Sequence, residues 1–222
     1  MKKIYIALLI LTLATFCFAS DGMVTKAKKY LPVVVSVIND IWSDMPKKQV
    51  ILRQLQQESG WNPHATLNTK RELGRGFGQI TISYDANHKV RFNNYKNAVA
   101  MKELKHWNWK SDPYNVKYQL TYLVLMDKSN YRTVRPSMIN DDEALKTMLV
   151  SYNAGDGRWI IRRTYARSVG IPANKWTGGL DSACKPSEKQ AKVYGESLCE
   201  MVNDYPRIIM GDSDKYKQLL EP

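Results

Sequence analysis

Apolar residues recur at intervals of three and four positions along most of the chain, which is the pattern of amphipathic helices. Alternation of apolar and polar residues, which indicates strands, is confined to short pieces such as 79–82. The pattern predicts a mainly α fold with about six or seven helices and a small loop or hairpin region within 61–95. We expect helices over residues 25–41, from about 46 to 60, and over 97–105, 113–129, 141–153, 159–168 and 187–202.

The second predicted helix has clear boundary signals. Ser43 or Asp44 can cap its N-terminus, and Pro46 suits a first helical turn because its missing N–H is not needed there. Gly60 can end the helix in the left-handed conformation. The other predicted boundaries are Asp112 and Asn140 as N-caps, Gly155 as a C-terminal stop, and a peripheral polar tail after Pro206.

Glu58 lies on the apolar face of that second helix, at i+7 from Ile51 and i+3 from Leu55. A carboxylate on an inner face is costly unless it is paired, protonated or functional. Glu58 can form an ion pair with a basic residue, lie in solvent at the edge of the stripe, or act as a functional acid with a raised pKa. The helix position alone leaves these three interpretations open.

The first twenty residues have the pattern of a secretory signal. A basic start, Met1 to Lys3, precedes an apolar run and a small residue at Ala19. We therefore predict a signal peptide over 1–19, a single domain over 20–222, and export to the periplasm or cell envelope. An uncleaved anchor is the alternative, but the run is shorter than the ~20 apolar residues that span a bilayer.

The chain is strongly basic, with 33 Lys and Arg residues against 21 Asp and Glu and a formal net charge of +12. Such a charge favours an anionic partner, and the cell wall, a membrane surface and nucleic acid are all candidates. Export disfavours nucleic acid, and the basic residues are spread along the chain rather than grouped with aromatic residues. We expect no nucleic-acid partner.

Two cysteines follow the predicted signal peptide, and an even number of cysteines in an exported protein favours a disulfide. They are Cys184 and Cys199, fifteen residues apart. Two reduced thiols are the alternative. His64, His88 and His106 are scattered and no CxxC pair occurs, so we expect no metal site and no cofactor.

Three short motifs stand out between residues 58 and 155. They read Glu-Ser-Gly-Trp-Asn-Pro at 58–63, Gly-Phe-Gly-Gln-Ile at 76–80 and Ser-Tyr-Asn-Ala-Gly at 151–155. Their residues, order and separations resemble the motifs of lytic transglycosylases of the soluble type, whose fold is shared with goose-type lysozymes. Gly78 stands where that family has methionine. The family's C-terminal Glu-Thr and Tyr-Val feature is matched only loosely around Glu188 and Tyr194, so the resemblance assigns these two no role.

The resemblance implies a lysozyme-like helical domain that cleaves the β-1,4 bond between N-acetylmuramic acid and N-acetylglucosamine in peptidoglycan. It makes Glu58 the single catalytic acid and base, which ends the reaction by closing a 1,6-anhydro ring. It also implies that the substrate is bound by four residues: Ser59, Gln79, Tyr152 and Asn153. Each of these residues has a structural alternative. Ser59 can cap a carbonyl, Gln79 can bond to the backbone of its loop, Tyr152 can pack in the core, and Asn153 can help to end a helix.

Two other functions remain open from the sequence. A hydrolysing muramidase on the same fold would need a positioned water and a second carboxylate, for which Glu72 and Asp85 are the available loop residues. A wall-binding protein without turnover is the other alternative. In each case we expect a monomer that binds peptidoglycan strands and has at most transient partners in the envelope.

Overall fold

A computed structural model describes residues 19–193 and 195–220, so the predicted signal peptide lies outside the described residues except for Ala19. The structure is 61% helix and 9% strand with a small antiparallel sheet, which confirms the prediction of a mainly α fold. Within the described ranges, no helix combines the length and apolar composition needed to cross a membrane.

Eight α-helices make up most of the described chain. They are α1 (Ala19–Trp42), α2 (Gln49–Ser59), α3 (Asn94–Ala98), α4 (Val116–Val134), α5 (Asp141–Ala154), α6 (Asp156–Ser168), α7 (Pro186–Gln190) and α8 (Leu198–Gly211). Short 3-10 helices lie at Lys102–Leu104, Arg135–Ser137 and Asp214–Leu219, and a π-helical turn lies at Trp176–Leu180.

The region expected to hold loops and a small hairpin instead forms a four-stranded antiparallel meander. Its strands are β1 (Thr66–Asn68), β2 (Glu72–Arg75), β3 (Ile80–Tyr84) and β4 (Val90–Asn93), in that spatial order. Residues 80–82 of the predicted β-prone piece 79–82 therefore belong to an inner strand, and residue 79 precedes it. A second, two-stranded hairpin joins β5 (Lys192–Val193) to β6 (Glu196–Ser197).

Helix α5 lies at the centre of the main hydrophobic core. It packs against α4, α6 and α8, and α4 in turn packs against α1. Leu145, Met148 and Leu149 of α5 are fully buried because they share one helical face. A smaller core beneath the sheet contains Tyr95 and Trp107.

The predicted start of α2 is wrong, and its predicted end is confirmed. Residues 43–48 form turns, with Met45 N–H donating to the Trp42 carbonyl at 3.1 Å, so neither Ser43 nor Asp44 caps the helix. At the other end Gly60 has φ +57°, and its N–H bonds the Gln56 carbonyl. A residue with a side chain is strained in this left-handed conformation, which is why the helix ends here.

The predicted cap of α4 is wrong, and the predicted caps of α5 are confirmed. Asn115, rather than Asp112, caps α4 by accepting a hydrogen bond from Tyr118 N–H at 3.2 Å. The Asp112 carboxylate is instead bonded by the Asn115 amide. The predicted Asn140 cap of α5 and its end at Gly155 are confirmed.

The C-terminal region differs most from its prediction. The expected helix over 187–202 is split into α7, the β5–β6 hairpin and α8, because Gly195 turns the chain at φ +91° and Ser197 caps a new helix. The tail beyond Pro206 is not peripheral, since Ile209 and Tyr216 are fully buried. The Cys184–Cys199 disulfide is confirmed, with the two Cα atoms 5.7 Å apart.

Candidate active site

Glu58 occupies the last turn of α2, where the helix leaves the core. Ile51 and Leu55 on the same face are fully buried, whereas Glu58 itself is partly exposed. Burial of the carboxyl raises the pKa of Glu58 from 4.5 to about 7, although a hydrogen bond from Tyr205 opposes part of this increase. The desolvated carboxyl therefore holds its proton in much of the population near neutral pH.

Tyr205 of α8 donates its hydroxyl hydrogen to Oε1 of Glu58. This contact joins the end of α2 to a helix that follows it by about 140 residues in the chain. The sequence interpretation missed Tyr205 and considered Tyr194, which lies outside the described residues. The available signal was the apolar stripe of α8, where Val202, Tyr205 and Ile209 are buried at i, i+3 and i+7.

Tyr152 of α5 also reaches this region, but its hydroxyl bonds to the loop. It donates to the carbonyl oxygen of Gly78 at 2.6 Å. Burial, followed by the nearby charges of Glu58 and Asp127, raises the pKa of Tyr152 well above its usual range. A Cβ atom on Gly78 would lie 2.6 Å from this hydroxyl and 3.1 Å from Leu123, which explains why glycine occupies the position of the expected methionine.

Gln119 of α4 holds the two loops beside Glu58 together. Its Oε1 accepts a hydrogen bond from Phe77 N–H, and its Nε2 donates to the Pro63 carbonyl at 3.2 Å. Gly76 is required next to it, because φ is +75° and a Cβ would lie 2.0 Å from Gln119 Oε1. The sequence interpretation did not identify Gln119, since it is distant in the chain from both loops.

The polar groups of two predicted substrate-binding residues are bonded to the backbone. The Ser59 hydroxyl donates to the Leu55 carbonyl at 2.8 Å, and Gln79 Nε2 donates to the Gly76 carbonyl at 3.0 Å. These are the structural alternatives expected from the sequence. Asn153 is exposed one residue before the end of α5. The substrate-binding role of all three stays a prediction.

The loop after Glu58 is held in place by contacts with the C-terminal segment Asp214–Leu219. Trp61 is 2% exposed, and its indole N–H donates to the Tyr216 hydroxyl at 3.0 Å. That hydroxyl donates to Gln56 Oε1 at 2.7 Å. The segment after α8 therefore braces the turn of helix that carries Glu58.

The other candidate carboxylates differ from Glu58 in their surroundings. Asp85 lies in the β3–β4 turn, where Oδ1 accepts from Asn87 N–H at 2.8 Å and Lys89 N–H at 2.9 Å. Glu72 is partly exposed on β2. Among residues 19–193 and 195–220, no group of three or more His, Cys, Asp and Glu residues could hold a metal ion.

Comparison with protein-family models and with curated proteins finds no match for this chain. The functional argument therefore depends on the chemistry of Glu58 and its neighbours, together with the three motifs around them.

Proposed function

We propose that this protein is a lytic transglycosylase with a lysozyme-like fold, which cleaves the glycan strands of peptidoglycan. The observation that carries the proposal is the state of Glu58. This carboxyl is partly exposed at a helix end, has a pKa of about 7 and is hydrogen-bonded by Tyr205. A general acid is most effective when its pKa lies near the working pH, because it is then both protonated and able to release its proton.

In the proposed reaction Glu58 acts twice. It first donates its proton to the glycosidic oxygen as that bond breaks, while the acetamido oxygen of the substrate supports the anomeric carbon. The resulting carboxylate then takes the proton from the 6-hydroxyl of the muramic acid, whose oxygen bonds to the anomeric carbon and closes the 1,6-anhydro ring. The Tyr205 hydroxyl, already bonded to Glu58, stabilises the carboxylate between the two steps.

The surroundings of Asp127 and Asp85 favour ring closure over hydrolysis. A hydrolase with two carboxyls needs the second at about 5–9.5 Å from the first and in contact with water or the sugar. The acid that couples electrostatically to Glu58 is Asp127, which is 0% exposed and thus unable to touch substrate. Asp85 is engaged by the backbone of its own turn. Capture by the substrate's own hydroxyl requires no second carboxylate.

The proposed substrate also fits the charge of the chain. A formal net charge of +12 increases the rate of encounter with an anionic polymer such as the bacterial cell wall. Export to the periplasm or cell envelope, through the predicted signal peptide over 1–19, belongs to the same proposal.

The test is mass spectrometry of the products released from purified peptidoglycan by the mature protein. We expect muropeptides that end in 1,6-anhydro-N-acetylmuramic acid, which are one water lighter than hydrolysed products and lack a reducing end. Reducing muramic acid as the main product would identify a hydrolase. Binding to peptidoglycan without any released product would identify a wall-binding protein.

A further inference from the structure

Two polar side chains are completely buried behind Glu58. Asp127 of α4 and Gln54 of α2 are each 0% exposed. Within residues 19–193 and 195–220, neither the two carboxyl oxygens of Asp127 nor the amide oxygen and nitrogen of Gln54 have a hydrogen bond of normal geometry. Buried polar groups are almost always paired in folded proteins, so a cluster of four such atoms requires an explanation.

The position of the pair connects it to the proposed active site. Gln54 lies four residues before Glu58 on α2, so the two side chains are neighbours on one helical face. The Gln54 amide is close enough to Asp127 to lower the pKa of its carboxyl, although no direct bond of normal geometry joins them. Leu123, one helical turn before Asp127, packs beside Gly78, next to the hydrogen bond between Gly78 and Tyr152.

Asp127 is paired with no cationic side chain in the part of the chain that the structure describes. In the described ranges no ion pair involves Asp127 or Glu58. Burial raises the pKa of Asp127 well above its usual range, and an ionised Glu58 raises it further. The titratable groups around Asp127 in this region are Glu58 from α2, Tyr122 from α4, Tyr152 from α5 and Tyr205 from α8. Full burial without a paired cation therefore favours the neutral form of the Asp127 carboxyl.

We infer that Asp127 is a positioning residue for Glu58 and that it acts as an uncharged acid through Gln54. A neutral carboxyl group has an O–H that can donate to the Gln54 amide oxygen, which leaves the Gln54 N–H groups to face the carboxyl of Glu58. When Glu58 releases its proton, Tyr205 supplies one donor to the carboxylate and Gln54 supplies a second. Asp127 transfers no proton and does not touch substrate.

This role rests on the proposed function of Glu58, but the coupling between the two acids can be measured without any substrate. The carboxyl groups of the mature protein are followed by carbon-13 NMR across a pH titration, in wild type and in Glu58→Gln. We expect Asp127 to stay protonated through pH 7, and its pKa to fall in Glu58→Gln because the charge that raises it is gone. Ionisation of Asp127 below pH 6, or no change in Glu58→Gln, would overturn the inference.

Substitution of Asp127 then tests positioning. Asp127→Asn keeps the size, neutrality and donor capacity, so we expect kcat on soluble glycan strands to stay within about threefold of wild type, with the pKa of Glu58 unchanged. Asp127→Leu removes the donor, so we expect kcat to fall about tenfold or more at unchanged KM, with a higher pKa for Glu58. Thr147→Val, which removes a buried hydroxyl elsewhere in the core, is the matched control for lost polarity.

Three outcomes contradict the inference. Full kcat in Asp127→Leu would show that no positioning is needed. A lowered pKa of Glu58 in Asp127→Asn would show that Asp127 acts as a negative charge, because removing a nearby negative charge lowers the pKa of an acid. Equal losses of kcat in Asp127→Asn and Asp127→Leu would show that the neutral donor is not what matters. If wild type lacks activity on glycans, the proposed function fails, while the titration still decides the coupling.

Discussion

Two of the regions that bury carboxyl groups stabilise them in opposite ways. Glu188 of α7 is 3% exposed and bonds Arg158 at 2.7 Å, with Arg162 at 3.4 Å on its other oxygen. The second region contains Glu58 and Asp127, whose neighbours are an amide and tyrosine hydroxyls. Cations balance the charge of the first acid, whereas burial without a paired cation raises the pKa of both acids in the second region.

On the proposed function, this difference separates an acid that stabilises the fold from an acid that takes part in the reaction. A buried ion pair around Glu188 ties α7 to α6. A carboxyl without a cation must stay protonated when desolvated, and its proton is then available near neutral pH. We therefore expect substitutions at Glu58 to affect chemistry and substitutions at Glu188 to affect stability.

The largest effect is expected from Glu58→Gln. The amide keeps the size and polarity of the side chain but has no proton to transfer, so we expect turnover of peptidoglycan to fall by about 10²-fold or more. Circular dichroism should show an unchanged helical fold. Turnover near the wild-type rate would remove Glu58 from the mechanism.

Glu188→Ala should have the opposite profile. Removing one member of a buried ion pair leaves Arg162, which is 0% exposed, with an uncompensated charge, and such losses cost about 3–5 kcal/mol. Urea unfolding should show this loss, while the folded fraction keeps its turnover. The control is Asp204→Asn, which breaks an exposed pair with Arg207 and should cost below about 1 kcal/mol. Equal losses in both variants would contradict the comparison.

The sequence was informative where the site is local in the chain. Glu58 and Gly60 could be placed because helical periodicity and a glycine stop act within one helix. The mainly helical class and the α5 caps followed from similar short-range signals, and the disulfide followed from the even number of cysteines after the predicted signal peptide. The 43–48 segment was misassigned because favourable capping residues there are used in turns.

What could not be predicted are contacts between distant segments. Tyr205, Gln119 and Asp127 reach Glu58 or its loops from α8 and α4, and each looks like an ordinary member of a helix in the sequence. The polar sequence after Pro206 concealed Ile209 and Tyr216, which pack inside because the C-terminal segment folds back onto α2. Tertiary packing decided these positions.

The disulfide is expected to stabilise the Glu188 region without affecting the chemistry. Cys184 and Cys199, which are fifteen positions apart, close a loop that contains α7. Replacing both cysteines by serine should lower the free energy of unfolding by about 3 kcal/mol, because the unfolded chain gains conformational freedom. Turnover of the folded double variant should match wild type. A loss of turnover without a loss of stability would show that this region contributes to the active site.

The smallest expected effect concerns the stability of Glu58→Gln as a function of pH. The pKa of Glu58 is about 7 in the folded protein, above the ordinary value of 4.5 that applies when the chain is unfolded. Below about pH 4.5 the carboxyl is protonated in both the folded and the unfolded state, so wild type and Glu58→Gln should be equally stable. Between pH 4.5 and 7 the unfolded glutamate loses its proton first, which favours unfolding of the wild type. Glutamine does not titrate, so Glu58→Gln should become the more stable protein as pH rises.

Glu58 is partly exposed, and solvent reduces this effect. We expect the melting temperature of Glu58→Gln to exceed that of wild type by roughly 2–4 °C at pH 8, which is the shift that about 1 kcal/mol produces in a chain of this length. At pH 4 the two should melt together. Thermal melts of both proteins at the two pH values measure the difference directly. A constant difference at both pH values would mean that Glu58 titrates normally, and the contrast with Glu188 would then lose its physical basis.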